Sequence, residues 1–169
     1  MPVMKHAIAI LLLALVSAAV SEEPFTLSPP DESFSITFPG HPKHEQNTDN
    51  SGPIRTVAHS YSFETSAFKF VLSYVHLTPV PADLRPIDAI NSALSGTVEN
   101  VRGKLLSQDF VMLKGNPAKT AVIGVGENTV IDGRFLYVKP RVYQLLVLHR
   151  KGVTPPFQQQ FFNSFTLPK

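Results

Sequence analysis

Apolar residues of this chain alternate with polar ones at a period of two in several stretches, and this pattern constrains the fold most strongly. Residues 32–38 alternate in this way, and so do residues 56–63 and 68–76, which are separated by a short turn at 64–66. A period of two places alternate side chains on one face of a strand. The sequence therefore predicts one strand followed by a β-hairpin with an aromatic-rich face: Tyr61, Phe63, Phe68, Phe70 and Tyr74.

Two stretches have helical spacing instead. Between Asp83 and Arg102, apolar residues recur at intervals of three and four, which predicts an amphipathic helix with Asp83 as N-cap and Gly103 at its end. Near the C-terminus, Thr154 as N-cap and Pro155 at the first helical position predict a second helix. Its apolar side is predicted to pack on the sheet: Phe157, Phe161, Phe162 and Phe165.

Four further strands are predicted between the helices, at 105–113, 119–125, 130–138 and 142–149. Residues 41–53 are polar and rich in Asn, Asp and Gly, which is typical of a loop. The fold class indicated is α+β, with an antiparallel sheet of about six or seven strands packed with two amphipathic helices. We expect a single domain over residues 32–169, preceded by an extended lead-in over 22–31.

The N-terminus has the organisation of a secretory signal peptide over residues 1–21. An apolar run from Ala7 to Val20 follows a short basic segment and precedes polar residues, and cleavage after Ala19 or after Ser21 satisfies the small-residue rule. An uncleaved anchor is the alternative, although the run is shorter than the ~20 residues that span a membrane. The chain has no cysteine, so lipid acylation and disulfides are both excluded. The sequence predicts export and a soluble periplasmic or secreted protein.

Three segments resemble those of small exported bacterial domains with the PsbP/Mog1-like fold, an α/β/α sandwich. They are residues 38–42 (FPGHP), residues 141–147 (RVYQLLV) and residues 161–167 (FFNSFTL). The resemblance extends over nearly all of the chain after the signal and implies an antiparallel sheet between helices. Members of this shape are mostly accessory or binding proteins, so the resemblance implies no catalytic residue.

The histidines are the weak candidates for metal ligands. His41, His44, His59 and His76 precede residue 77, and imidazole nitrogens from such a group are ligands that zinc or copper accepts. No carboxylate stands at ligand spacing, and Pro42 keeps His41 and His44 off a helix. We therefore predict no metal and no other cofactor.

Basic residues dominate the C-terminal part. Residues 133–169 contain 6 Lys or Arg and no acidic residue, whereas residues 22–132 contain 8 against 13 acids. Such an asymmetry is typical of a surface for an anionic partner, although the same cations could face acidic neighbours within the fold. The candidate partner-binding residues are Arg134, Lys139, Arg141, Arg150 and Lys151.

No nucleophile elbow, zinc-protease motif, phosphate loop or thiol nucleophile is present, so the sequence predicts a protein that is not an enzyme. The first hypothesis is an exported binding or accessory domain of the bacterial envelope, with an envelope protein or an anionic surface as partner. The alternatives are a small-ligand or metal binder and an enzyme whose site carries no motif. The aromatic face could line a pocket but is expected to be core. Nucleic acid is not expected, because the near-neutral chain lacks a basic helix.

Overall fold

The computed structural model describes residues 23–30, 34–51 and 53–167, and the predicted signal peptide lies outside these ranges. The described chain contains nine strands and two helices: five strands precede α1, and four strands separate α1 from α2. In chain order the elements are β1 (Phe25–Leu27), β2 (Ile36–Phe38), β3 (Lys43–Asp49), β4 (Arg55–Glu64), β5 (Phe68–Thr78), α1 (Pro86–Asn100), β6 (Lys104–Leu113), β7 (Asn116–Val125), β8 (Thr129–Val138), β9 (Arg141–Arg150) and α2 (Gln158–Ser164).

Seven strands form one antiparallel sheet in the order β3-β4-β5-β9-β8-β7-β6, and β1 pairs with β2 in a separate two-stranded sheet. Strands β4 and β5 form the predicted hairpin, with Tyr61 opposite Leu72. The later strands pair with their neighbours in chain order, and β9 then returns to pair with β5. The α+β class, the antiparallel sheet and the two helices are thus confirmed.

The apolar residues form two clusters that share the sheet. Alternate residues of β9 belong to different clusters: Tyr143, Leu145 and Val147 pack with α2, whereas Val142 and Leu146 pack with α1. A period of two produces this division, because successive side chains of a strand point to opposite faces. The predicted aromatic face is core, as expected, since Tyr61, Phe70 and Tyr74 are buried in the α2 cluster and Phe63 and Phe68 pack against it.

The prediction of a loop over residues 41–53 is wrong in its middle part. Residues 43–49 form β3, which pairs along its whole length with β4, and every one of its side chains is exposed. An edge strand with no buried face needs no apolar residue, so the hydrophobic pattern carried no signal. The predicted lead-in likewise contains β1, whose Phe25 lies opposite Phe38 of β2.

Both predicted N-caps are wrong. Helix α1 begins at Pro86 with Arg85 as N-cap, and Arg85 makes no side-chain cap but donates to the carboxylate of Asp88. That contact lowers the pKa of Asp88 from its ordinary value, because the guanidinium stabilises the charged form. Helix α2 begins at Gln158, after Phe157, so Thr154 and Pro155 precede it.

The left-handed residue that follows the end of α1 is Arg102, one position before the predicted Gly103. Arg102 takes the left-handed conformation with φ of 50°, and the Gly103 amide donates to the carbonyl of Val98. This is the hydrogen-bond pattern of a Schellman motif. Gly103 serves a different need: a Cβ there would lie 2.8 Å from Cγ2 of Ile123, so only glycine allows this approach to β7.

Candidate binding site

The residues predicted as metal ligands do not form one cluster. His44 and His59 lie on adjacent strands, with 3.1 Å between Nε2 of His44 and Nδ1 of His59, so one ring donates to the other. The ring of His41 instead lies 4.0 Å from that of Phe25, and His76 lies opposite Arg141 of β9. Within residues 23–30, 34–51 and 53–167, no three His, Asp or Glu side chains are placed to hold a metal ion.

The five predicted partner-binding cations do not share one surface. Arg150 and Lys151 are exposed at the C-terminal end of β9, whereas Lys139 and Arg141 flank the turn at its other end. Ten residues of strand separate these ends by about 30 Å. Arg134 lies elsewhere again, half-buried beneath α2 on the middle of β8.

Two polar anchors fasten α2 to the sheet. Nε2 of His149 lies 2.9 Å from a carboxylate oxygen of Asp132, and Nε2 of Gln158 donates to the same oxygen at 2.7 Å. The other ring nitrogen of His149 lies 2.9 Å from the carbonyl of Arg150. Both ring nitrogens therefore face oxygen acceptors, and the imidazole can donate to both only when doubly protonated. This cluster holds the first turn of α2 in place.

Arg134 forms the second anchor at the other end of α2. Nη1 donates to the carbonyl of Phe162 at 3.2 Å, and the guanidinium lies 4.5 Å from the centre of the Phe162 ring. Burial lowers the pKa of Arg134 from its ordinary value, and no charged neighbour offsets this effect. In the described part of the chain no carboxylate pairs with Arg134.

A cavity of about 330 Å³ opens beside Arg134, between α2, the β8–β9 hairpin and the β6–β7 turn. Its floor is apolar, because Leu136, Leu145 and Phe165 are buried members of the α2 cluster. Two cations and one amide supply the polar lining. The lining residues are Leu113, Lys114, Arg134, Leu136, Leu145, Phe162, Asn163 and Phe165.

Lys114 reaches this cavity from a strained turn. Lys114 and Gly115 have φ of 51° and 80°, so they form a two-residue turn between β6 and β7 in which both central residues are left-handed. Asn-Gly is the preferred pair for such a turn, and a lysine in the left-handed region is strained by about 1–2 kcal/mol. The sequence showed a polar break at 114–117, but it did not show that a cation would line a cavity.

The second unforeseen surface is the exposed edge of β6. Among the described residues the exposed large hydrophobics are Leu106, Phe110, Met112 and Val153, and the first three lie on β6. Strand β6 pairs only with β7, and a bulge at Leu106 interrupts its register. Phe110 lies opposite Lys119, which lines a hollow of about 510 Å³ between α1 and β6. This hollow is lined by three apolar and five polar or charged residues, and it lies beside an open strand edge.

Comparison with known proteins supports the fold alone. The solution structure of cyanobacterial PsbP (CyanoP) from Synechocystis sp. PCC 6803 matches with a TM-score of 0.57 and 9% identity, over 92% of this chain and 98% of that one. No family model matches the sequence, and neither does any curated protein. The predicted PsbP-like fold is thus confirmed. Separately, no helix among the described residues is long and apolar enough to cross a membrane.

Proposed function

We propose that this chain is an exported, non-enzymatic accessory domain that binds an extended segment of another envelope protein along β6. One observation carries the proposal: an edge strand with unpaired backbone groups also exposes Leu106, Phe110 and Met112. Extended peptides add to such edges, where the backbone supplies hydrogen bonds and alternate side chains fill neighbouring pockets. The hollow beside Phe110 is suited to receive one such side chain.

The other edge strand of the sheet, β3, differs from β6 in its side chains. All seven residues of β3 are polar and exposed, and Lys43, Glu45 and Asp49 are charged. Charged side chains on an edge strand discourage pairing with another chain. Strand β6 has two charged residues, Lys104 and Asp109, and three of its apolar side chains are exposed. The contrast supports β6 as the edge that binds.

The fold and the predicted signal support the proposal that the chain is an exported accessory domain. Helices α1 and α2 pack with alternate residues of β9, and this packing supports the α/β/α sandwich that the resemblance implies. Accessory and binding proteins are common in the PsbP/Mog1-like group that the sequence resembles. The cavity residues and the histidine pair include no nucleophile beside a base, so a binding role accounts for the site better than catalysis.

A photo-crosslinking amino acid placed at Phe110 tests the interface in the native host. We expect a discrete covalent adduct from position 110 and none from position 46, since Gln46 lies on the opposite edge strand β3. Adding Met112→Glu should reduce the adduct at least tenfold, because a charge would replace an exposed apolar side chain of the proposed contact. The matched control, Thr48→Glu on β3, should leave it unchanged.

Equal adducts from both edges, or none from position 110, would contradict strand addition at β6. Purification of the adduct also tests export. Sequencing from its N-terminus should begin at Val20 or Glu22, the residues that follow the two predicted cleavage sites. A product that begins at Met1 or Pro2 would contradict cleavage of the signal.

A further inference from the structure

The cavity beside Arg134 combines an apolar floor with a cation that pairs with no carboxylate among residues 23–30, 34–51 and 53–167. Its volume of about 330 Å³ lies at the lower end of the range for small-molecule sites, about 300–1,000 Å³. Leu136 and Leu145 are essentially fully buried beneath it. The accessible apolar lining comes from the half-buried Leu113 and from parts of Phe162 and Phe165, so a ligand there would bury a short apolar chain against these side chains.

Arg134 supplies the charge. Its contact with the carbonyl of Phe162 uses one of the five N–H donors of the guanidinium. Asp132, two residues away on the same face of β8, already accepts from His149 and Gln158. A half-buried guanidinium attracts an anion more strongly than an exposed one, since water screens it less. Carboxylates are ligands that its planar fork binds in bidentate geometry.

Lys114 provides a second, independent observation. It stands at a left-handed position where Asn or Gly would be less strained, and its side chain lines the same cavity. Nonstandard backbone conformations of this kind are found at ligand-binding positions, where the side chain has a use that offsets the strain. Lys114, Arg134 and Asn163 thus all line this cavity.

We propose that this cavity binds a small amphipathic monocarboxylate, with its carboxylate at Arg134 and Lys114 and its apolar chain against Leu113, Phe162 and Phe165. The ligand class follows from the lining: a single negative charge matches the polar side and a short alkyl or aromatic tail matches the floor. This site includes Leu113, the last residue of β6, but none of the exposed apolar residues of that strand, and ligand binding here does not require a partner on β6.

Titration of the purified chain with octanoate, followed by calorimetry and by backbone amide NMR shifts, tests the site. We expect saturable binding that shifts the amides around Leu136, Leu145 and Phe165. Octan-1-ol lacks the charge and acetate lacks the tail, so each should bind at least tenfold more weakly. Arg134→Gln should weaken octanoate binding at least tenfold, whereas the control Arg150→Gln, an exposed cation at the far end of β9, should not change it.

A second variant keeps the test decisive if Arg134→Gln loosens α2. Lys114→Gln changes an exposed rim residue and should weaken octanoate binding several-fold with the thermal unfolding midpoint preserved. Equal affinity for octanoate and octan-1-ol, unchanged binding in both variants, or shifts confined to residues outside the cavity would each overturn the proposal. The absence of octanoate binding at millimolar concentration would overturn it as well.

Discussion

The two faces of the seven-stranded sheet are built differently. Among the described residues, the core under α1 has Thr97 as its one buried polar residue, and Thr97 donates a hydrogen bond to Gln144. The face under α2 also has a large aromatic cluster, but its helix is fastened through Asp132, His149, Gln158 and Arg134. Buried ionisable groups stabilise a fold less than apolar packing does. The two helices are therefore held differently, since α2 depends on more polar contacts with the sheet than α1 does.

Removing the central apolar side chain from each face should have the largest effect and should be similar on both. Phe161 and Ile90 are fully buried, in the α2 and α1 clusters respectively. We expect Phe161→Ala to lower the free energy of unfolding by about 3–5 kcal/mol and Ile90→Ala by about 2–5 kcal/mol. Urea unfolding measures both. A loss below about 1 kcal/mol for Phe161→Ala would mean that α2 is not part of the cooperative core.

Removing a polar contact from each face should lower the free energy of unfolding by different amounts on the two faces. Asp132→Ala leaves the buried donors of His149 and Gln158 without their carboxylate acceptor, so we expect a loss of about 2–3 kcal/mol. Thr97→Val on the α1 face removes a single hydroxyl, with an expected loss of about 1 kcal/mol. Equal losses in chemical denaturation would show that the polar cluster is no more important to α2 than one hydroxyl is to α1.

The smallest effect should be a gain in stability. Lys114→Asn relieves a strained left-handed residue, and we expect it to raise the free energy of unfolding by about 0.5–1 kcal/mol. Arg102→Asn is the matched control, because Arg102 has the same φ at the end of α1 and lies outside the cavity lining. Thermal unfolding should show both gains, while octanoate binding should weaken in Lys114→Asn alone. If Lys114→Asn lowered the free energy of unfolding, Lys114 would not be strained in the left-handed conformation.

Period-two alternation was enough to predict the sheet, because a half-buried strand needs an apolar residue at every second position. It missed β3, whose exposed residues need no such pattern. The sequence did not predict the cavity, and the reason is a different one. Arg134, Lys114 and Asn163 are distant in sequence and meet only because α2 folds back over β8. Arg134 was predicted as a binding residue from local charge, but in an exposed setting rather than beneath a helix.

Strand β3 has one further consequence. It is held by its ladder with β4 and by the ring of His44, which stacks 4.3 Å from that of Tyr61. None of its side chains enters either core, so its detachment would expose little apolar surface. Elements of this kind open locally at a free energy well below that of global unfolding. The sheet can therefore exist in a shorter six-stranded form with β4 as its edge, and native-state fluctuations of this protein should be concentrated at that end.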